Sequence, residues 1–254
     1  MQKILITGAR SGFMKSALNY LKDKFYIYLS VHTESEYEYI KKKYQNIKTI
    51  ECLKLDVTYK EDLKKIKDLD IDILILNSAV SYGGSIYQIK EEDIKENFDV
   101  NVFGNLNILK IVTKNMLLKK HGKIIIVSSM ADTAPMPFLG IYAATKASLT
   151  QIGKALYYEL LMHEGNYSVS LIKPGLYKTG FNKKALDNIN TNDYLTEIQN
   201  KIEGLKKIYL LFERKNLNKV GKTIYQICLS KRPKLTYYMP LSQKIILKLY
   251  NLLN

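Results

Sequence analysis

The 254-residue sequence predicts a doubly wound α/β fold, a parallel sheet with helices on both faces making a three-layer αβα domain. Three observations predict it. Short runs of Ile, Val and Leu alternate with longer stretches of helical periodicity. The short runs are continuously apolar rather than alternating, as strands must be when neither face meets water. A glycine-containing turn directly follows the first run.

That first run, residues 3–7 (KILIT), begins almost at the N-terminus, which leaves no room for a signal peptide in this sequence. Runs at 26–31, 47–53, 71–76, 123–128 and 168–173 follow, with helical stretches such as 63–69 and 149–161 between them. The rhythm holds to about Pro174. Residues 180–216 are polar, rich in Asn and Lys, and weakly periodic, so this stretch reads as a lid over a functional site. A brief strand-like run at 235–238 precedes an amphipathic helix over about 240–254, where Leu241, Ile245, Leu249 and Leu252 recur at helical spacing beside Lys244, Lys248 and Asn251. Without repeats or linkers, residues 1–254 read as a single domain.

Composition narrows the class. Hydrophobic residues at 46% and charged residues at 25% suit a packed globule rather than a disordered chain. Cys52 and Cys228 stand far apart without a CxxC, which excludes a disulfide framework or zinc ribbon and suits a cytoplasmic location. His32, His121 and His163 form no metal-like group, so no metal is expected. Net charge is +15, and from Lys201 to Asn254 twelve bases meet only two acids. No helix-turn-helix, finger or RNA-binding signature accompanies that charge, so nucleic acid is not an expected partner. A solvated basic face is the simpler reading. A basic C-terminal helix also suits an anionic membrane surface, although packing on a subunit or closing a pocket explains it without one.

The turn after the first run reads Thr7-Gly8-Ala9-Arg10-Ser11-Gly12-Phe13-Met14 and leads into a helix. Glycines there let the backbone approach a pyrophosphate, which then sits at a positive helix N-terminus. Four more segments accompany it: Asn77-Ser78-Ala79-Val80, Asn101 within Asp99–Val102, Ser128-Ser129, and Tyr142-Ala143-Ala144-Thr145-Lys146. With Pro174-Gly175-Leu176-Tyr177-Lys178-Thr179, this order resembles the short-chain dehydrogenase/reductase family from residue 1 to about 180, with a looser match beyond. The family's spacing selects Ser129 over Ser128.

The residues make chemical sense together. Tyr142 and Lys146 lie four apart, on one helix face. A free tyrosine, pKa about 10, is a poor acid–base group near neutral pH, and a nearby ammonium would lower that value. Tyr142 would then exchange a proton with a carbonyl or alcohol oxygen, and Ser129 would hydrogen-bond the same oxygen. The resemblance implies that Asn101 holds a water linking Lys146 to solvent. It implies that Lys146 also binds the nicotinamide ribose. It further implies a nicotinamide dinucleotide held by Gly8, Ser11, Gly12, Phe13, Asn77, Ala79, Tyr142, Pro174, Gly175 and Thr179, with Asp56 and Val57 at the adenine. Asp56 reads equally as a helix N-cap for a segment beginning at Thr58.

Two positions depart from the family pattern: Met14 where a third small residue is usual, and Asn-Ser-Ala-Val where Asn-Asn-Ala-Gly is usual. The second run ends Leu29-Ser30-Val31-His32-Thr33 without an acid to repel a 2′-phosphate, and Arg10 sits in the glycine turn, so NADP(H) is favoured over NAD(H). Arg232-Pro233-Lys234 and the final helix resemble the branch that handles hydrophobic ketones and alcohols. The expectation is an oxidoreductase acting on a small or hydrophobic carbonyl or alcohol substrate, a homodimer or homotetramer through helices at about 105–118 and 142–164. A non-catalytic NADP-binding regulator of the same fold is the alternative.

Overall fold

A computed structural model describes residues 1–189 and 196–253. Its seven strands are β1 (Lys3–Ile6), β2 (Tyr26–Val31), β3 (Ile50–Lys54), β4 (Ile73–Leu76), β5 (His121–Val127), β6 (Asn166–Pro174) and β7 (Thr236–Met239). They form one parallel sheet in the order β3-β2-β1-β4-β5-β6-β7. Ile4 pairs with Ile27 on one side and with Ile73 on the other, so the order reverses at β1. A crevice opens at the carboxyl ends of the strands at such a switch point.

Alternate residues of each strand feed opposite faces. Ile4, Ile6, Leu29, Ile75 and Ile172 pack with α1 (Gly12–Leu21) and α9 (Asn218–Leu229). Leu5, Leu74, Leu76, Ile126 and Leu171 pack with α5 (Asn105–Leu118) and α6 (Gly140–Leu160). Both sets are buried, which is why the runs carry no polar alternation; each such side chain contributes ~1.5–3 kcal/mol on burial. The remaining early helices are α2 (Glu34–Tyr44), α3 (Lys60–Lys64) and α4 (Glu91–Phe98), with a wide π-type turn at Asp99–Gly104 joining α4 to α5.

Several expectations are corrected. The helix expected over 63–69 is α3, ending at Lys64, because Lys65, Ile66 and Lys67 each bond back three residues and tighten the chain into turns. Residues 180–216 hold two helices, α7 (Phe181–Asp187) and α8 (Thr196–Leu211); of this stretch, 190–195 lie outside the described residues. Ile198, Ile202, Tyr209 and Leu210 of α8 pack on Leu139, Ala185, Leu186 and Ile189 as a third small core. Strand ends also shift, most at β3, which starts at Ile50 rather than 47.

The last helix, α10 (Leu241–Leu253), forms as expected. Of the expected stripe, Leu241 and Ile245 are exposed, and the side chains of Lys248, Leu249, Asn251 and Leu252 lie outside the described residues. Met14 is fully buried in the core between sheet and helices. Gly221 on α9 lets that helix approach α1 closely, since a Cβ there would lie 2.6 Å from the Ser16 carbonyl carbon.

Candidate active site

A cavity of about 1350 Å³ occupies the crevice at the switch point. Every candidate catalytic or cofactor-binding residue named from the sequence lines it except Asn101. At one end lies the β1–α1 turn. Gly8 adopts φ +62°, and a Cβ there would sit 2.9 Å from the Ser78 Cα, so a side chain is excluded both by conformation and by space. Ser11 caps α1, its Oγ accepting from the Met14 N–H at 3.2 Å. Asn77 ties this turn to the end of β4: its Nδ2 donates to Gly8 O at 2.8 Å and Thr7 O at 3.1 Å, while its N–H and that of Ser78 donate to Thr7 Oγ1. The amide of Asn77 is thus spent on shaping the turn.

At the other end Ser129, Tyr142 and Lys146 share a wall. Ser128 is buried and committed, donating to Lys146 O at 3.0 Å and lying 2.7 Å from Thr150 Oγ1. Ser129 begins the short 3₁₀ turn Met130–Asp132, accepts from Ala131 N–H at 3.1 Å, and hydrogen-bonds Tyr142. Lys146 is buried, donates to Val127 O at 3.1 Å and lies 5.7 Å from the centroid of the Tyr142 ring. Phe181 of α7 packs against the same ring at 5.5 Å.

The electrostatics differ from expectation. Burial pushes the Tyr142 phenol well above the ordinary tyrosine value; the Ser129 hydrogen bond opposes the rise, and the Asp132 charge adds to it. Burial also brings Lys146 down to about 8, below the ordinary lysine value. Desolvation therefore favours the neutral form of both groups.

Asn101 lies in the π-type turn, fully buried and away from the cavity surface. Its Oδ1 accepts from Val80 N–H at 2.8 Å, and its Nδ2 donates to Val80 O at 2.9 Å and Thr145 Oγ1 at 3.0 Å. The side chain thus joins the β4 turn to the helix that carries Tyr142. Asp56 caps a local turn, accepting from Thr58 N–H at 2.9 Å, and Tyr59 rather than Asp56 precedes α3.

Sequence reasoning missed four contributors. Glu36, in the first turn of α2, sits between Arg10 and His32 at 3.1 and 2.9 Å. Asp132 and Lys173 form an ion pair behind Ser129. Gln243 of α10 accepts from Leu176 N–H at 2.8 Å and donates to Phe212 O at 3.0 Å, placing Ile246 and Leu247 on the cavity wall. None has a local pattern that announces it. Among the described residues, no helix is long and apolar enough to cross a membrane.

Comparison with known proteins follows the same lines. Residues 2–190 match the short chain dehydrogenase family model. The 3-ketodihydrosphingosine reductase of Bacteroides thetaiotaomicron is 29% identical, the match covering 91% of this chain and 85% of the relative. A serine dehydrogenase solved in its closed form with NADP+ superposes with TM-score 0.78 at 22% identity, over 95% of this chain and 96% of that one. A short-chain dehydrogenase/reductase from Burkholderia phymatum in complex with NAD gives 0.83 at 19% identity, over 98% and 92%.

Proposed function

The chain belongs to the short-chain dehydrogenase family, whose members are oxidoreductases, and from that premise we propose that it reduces a hydrophobic ketone to an alcohol with NADPH. The observation that carries this reading is the convergence of Ser129, Tyr142 and Lys146 on one wall of a cavity whose far end is the Gly8 turn.

The residues present fit a dinucleotide. Gly8 leaves a cradle that a Cβ would fill, and a Cβ on Gly12 would meet Leu217 and Thr179 side-chain carbons at 3.0 Å. Gly8, Ser11, Gly12 and Phe13 would hold the pyrophosphate at the N-terminus of α1. Asp56 and Val57 would flank the adenine, Asn77 and Ala79 the middle, and Pro174, Gly175 and Thr179 the nicotinamide end. Arg10 and His32 would take the 2′-phosphate, the basis of the NADP preference. When bound, the nicotinamide supplies hydride; the protein supplies position and a proton.

Tyr142 gives its phenolic proton to the substrate carbonyl oxygen as charge develops there. Its raised pKa keeps it in the protonated form that a reduction needs. The Ser129 hydroxyl donates to the same oxygen, and the Lys146 ammonium stabilises the phenolate left behind. Asn101 fixes α6 against the β4 turn, so that Tyr142 is held in place. Helices α7 and α8 close over the substrate as its lid, with Phe181 already seated on Tyr142.

The reading extends to assembly and location. Phe103, Leu118, Tyr158 and Leu161 are exposed apolar residues on or beside α5 and α6, which supports a dimer or tetramer through these helices. Both cysteines are free, which supports a reducing cytoplasm.

The test is NADPH consumption across a panel of ketones and aldehydes, with Tyr142→Phe as control. Turnover by the wild type, reduced ~10²–10⁴-fold in the variant with NADPH binding retained, is the expected result. Binding without turnover would leave a nucleotide-binding regulator instead.

A further inference from the structure

The cavity is not sealed on the side of α8 and α10. Ile208, Phe212 and Ile246 line it and are also 51%, 54% and 55% exposed, so one set of side chains is both inner wall and outer surface. Leu211, Leu241 and Ile245 continue the outer surface as exposed apolar residues. The two helices form one rim, because Gln243 donates to Phe212 O and Arg214 donates to Ser242 Oγ at 3.3 Å. Lys207, Arg214, Lys215 and Lys244 are exposed on the same two segments, within the part of the chain where twelve bases meet two acids.

From this geometry we infer that the α8–α10 rim rests on an anionic bilayer and is the doorway through which a long-chain, membrane-dissolved carbonyl compound reaches Tyr142. The inference rests on the reductase reading and names its substrate class. A contiguous apolar surface this close to a ligand cavity needs a cover. Charge decides which one. A second copy packed isologously would set one basic face against another, whereas anionic headgroups neutralise the cations while acyl chains meet the apolar residues. The cavity volume of about 1350 Å³ also exceeds the ~300–1,000 Å³ of ordinary small-molecule sites, leaving room for an apolar chain beside a dinucleotide.

The experiment is flotation of the full-length chain, with NADPH present, on phosphatidylcholine vesicles with and without phosphatidylglycerol. Flotation on the anionic vesicles only, lost in high salt, is expected. The double variant Leu211→Ser, Ile245→Ser alters residues outside the cavity lining. It should lose flotation while NADPH binding and reduction of a water-soluble short ketone stay at wild-type levels. Neutralising Lys207 or Lys244 with Gln should weaken binding about fivefold per charge. Equal flotation on neutral vesicles, or none on either kind, overturns the inference. So does a solution dimer that dissociates in the Leu211, Ile245 variant, since it gives the face to a second copy. Failure of the wild type to bind NADPH sinks the reductase reading separately, because flotation still reports on the surface.

Discussion

Glu36 holds Arg10 and His32 on one carboxylate, with Oε1 3.1 Å from Arg10 Nη1 and Oε2 2.9 Å from His32 Nδ1. The two residues proposed to receive a 2′-phosphate are therefore already facing an anion. A phosphate arriving there must displace that carboxylate, whereas a ribose 2′-hydroxyl could donate to it. Replacing Glu36 by Gln should tighten NADPH binding ~2–5-fold and leave NADH unchanged or weaker, the scale of one exposed charge contact. Parallel titrations with both nucleotides check this, and an unchanged ratio would remove Glu36 from cofactor choice.

Lys173 and Asp132 are almost wholly buried as an ion pair. Asp132 also accepts from Thr150 Oγ1 at 2.5 Å, and Thr150 meets Ser128, which bonds Lys146 O. The pair thus links the Ser129 turn, α6 and the end of β6. Asp132→Ala leaves a buried ammonium without its partner and should cost ~3–5 kcal/mol, whereas Asp132→Leu with Lys173→Met should recover most of that. Urea unfolding of the three proteins decides the matter. Additive losses in the double variant would contradict it.

Lys146 offers two pH readouts of opposite sign. Burial brings its pKa to about 8, below the ordinary lysine value of 10.5, so the folded chain gives up this proton as pH rises through about 8 and the unfolded chain keeps it longer. Between those limits the unfolded state binds more protons, and this group's contribution to stability rises with pH. The reductive rate should fall over the same interval, as the ammonium facing Tyr142 is lost. Thermal midpoints and turnover measured across the interval, with Lys146→Met as reference, test both trends. A Lys146→Met protein with the same two slopes would assign them elsewhere.

Gly8→Ala should destabilise the fold by ~1–2 kcal/mol from the left-handed backbone alone, before the clash with Ser78 is added. Gly12 has no positive φ, and its neighbours are the ends of Leu217 and Thr179 side chains, so Gly12→Ala should be milder for folding. Both should weaken NADPH binding. Chemical denaturation and nucleotide titration separate the two effects.

How far the sequence could be read follows from what each feature depends on. The strands and their parallel arrangement were legible because burial on both faces leaves continuous runs such as Ile73–Leu76 and 123–128. That Ser129, Tyr142 and Lys146 meet on one wall was legible through the spacing the family resemblance supplies. Glu36 was not, because the relevant acid stands one helical turn past the strand end where an acid is sought. Asp132 and Lys173 lie 41 residues apart, and only the pairing of β5 with β6 brings their elements together. The side of α10 that meets the cavity was not legible, because the apolar spacing of Leu241 and Ile245 gives no sign that Gln243 is the residue bonded inward. Helix α8 escaped notice because the residues that pack it against Leu139 and Leu186, namely Ile198, Ile202, Tyr209 and Leu210, stand among polar neighbours and make only a weak period.

The measurement that tests the central claim most directly is a fluorescence titration of the purified chain with NADPH, with NADH in parallel. Saturable binding of one nucleotide per chain, tighter for NADPH and preserved in Tyr142→Phe, is the expected result. If neither nucleotide binds, the Gly8 turn is not a dinucleotide cradle, and the oxidoreductase mechanism built on Tyr142 falls with it.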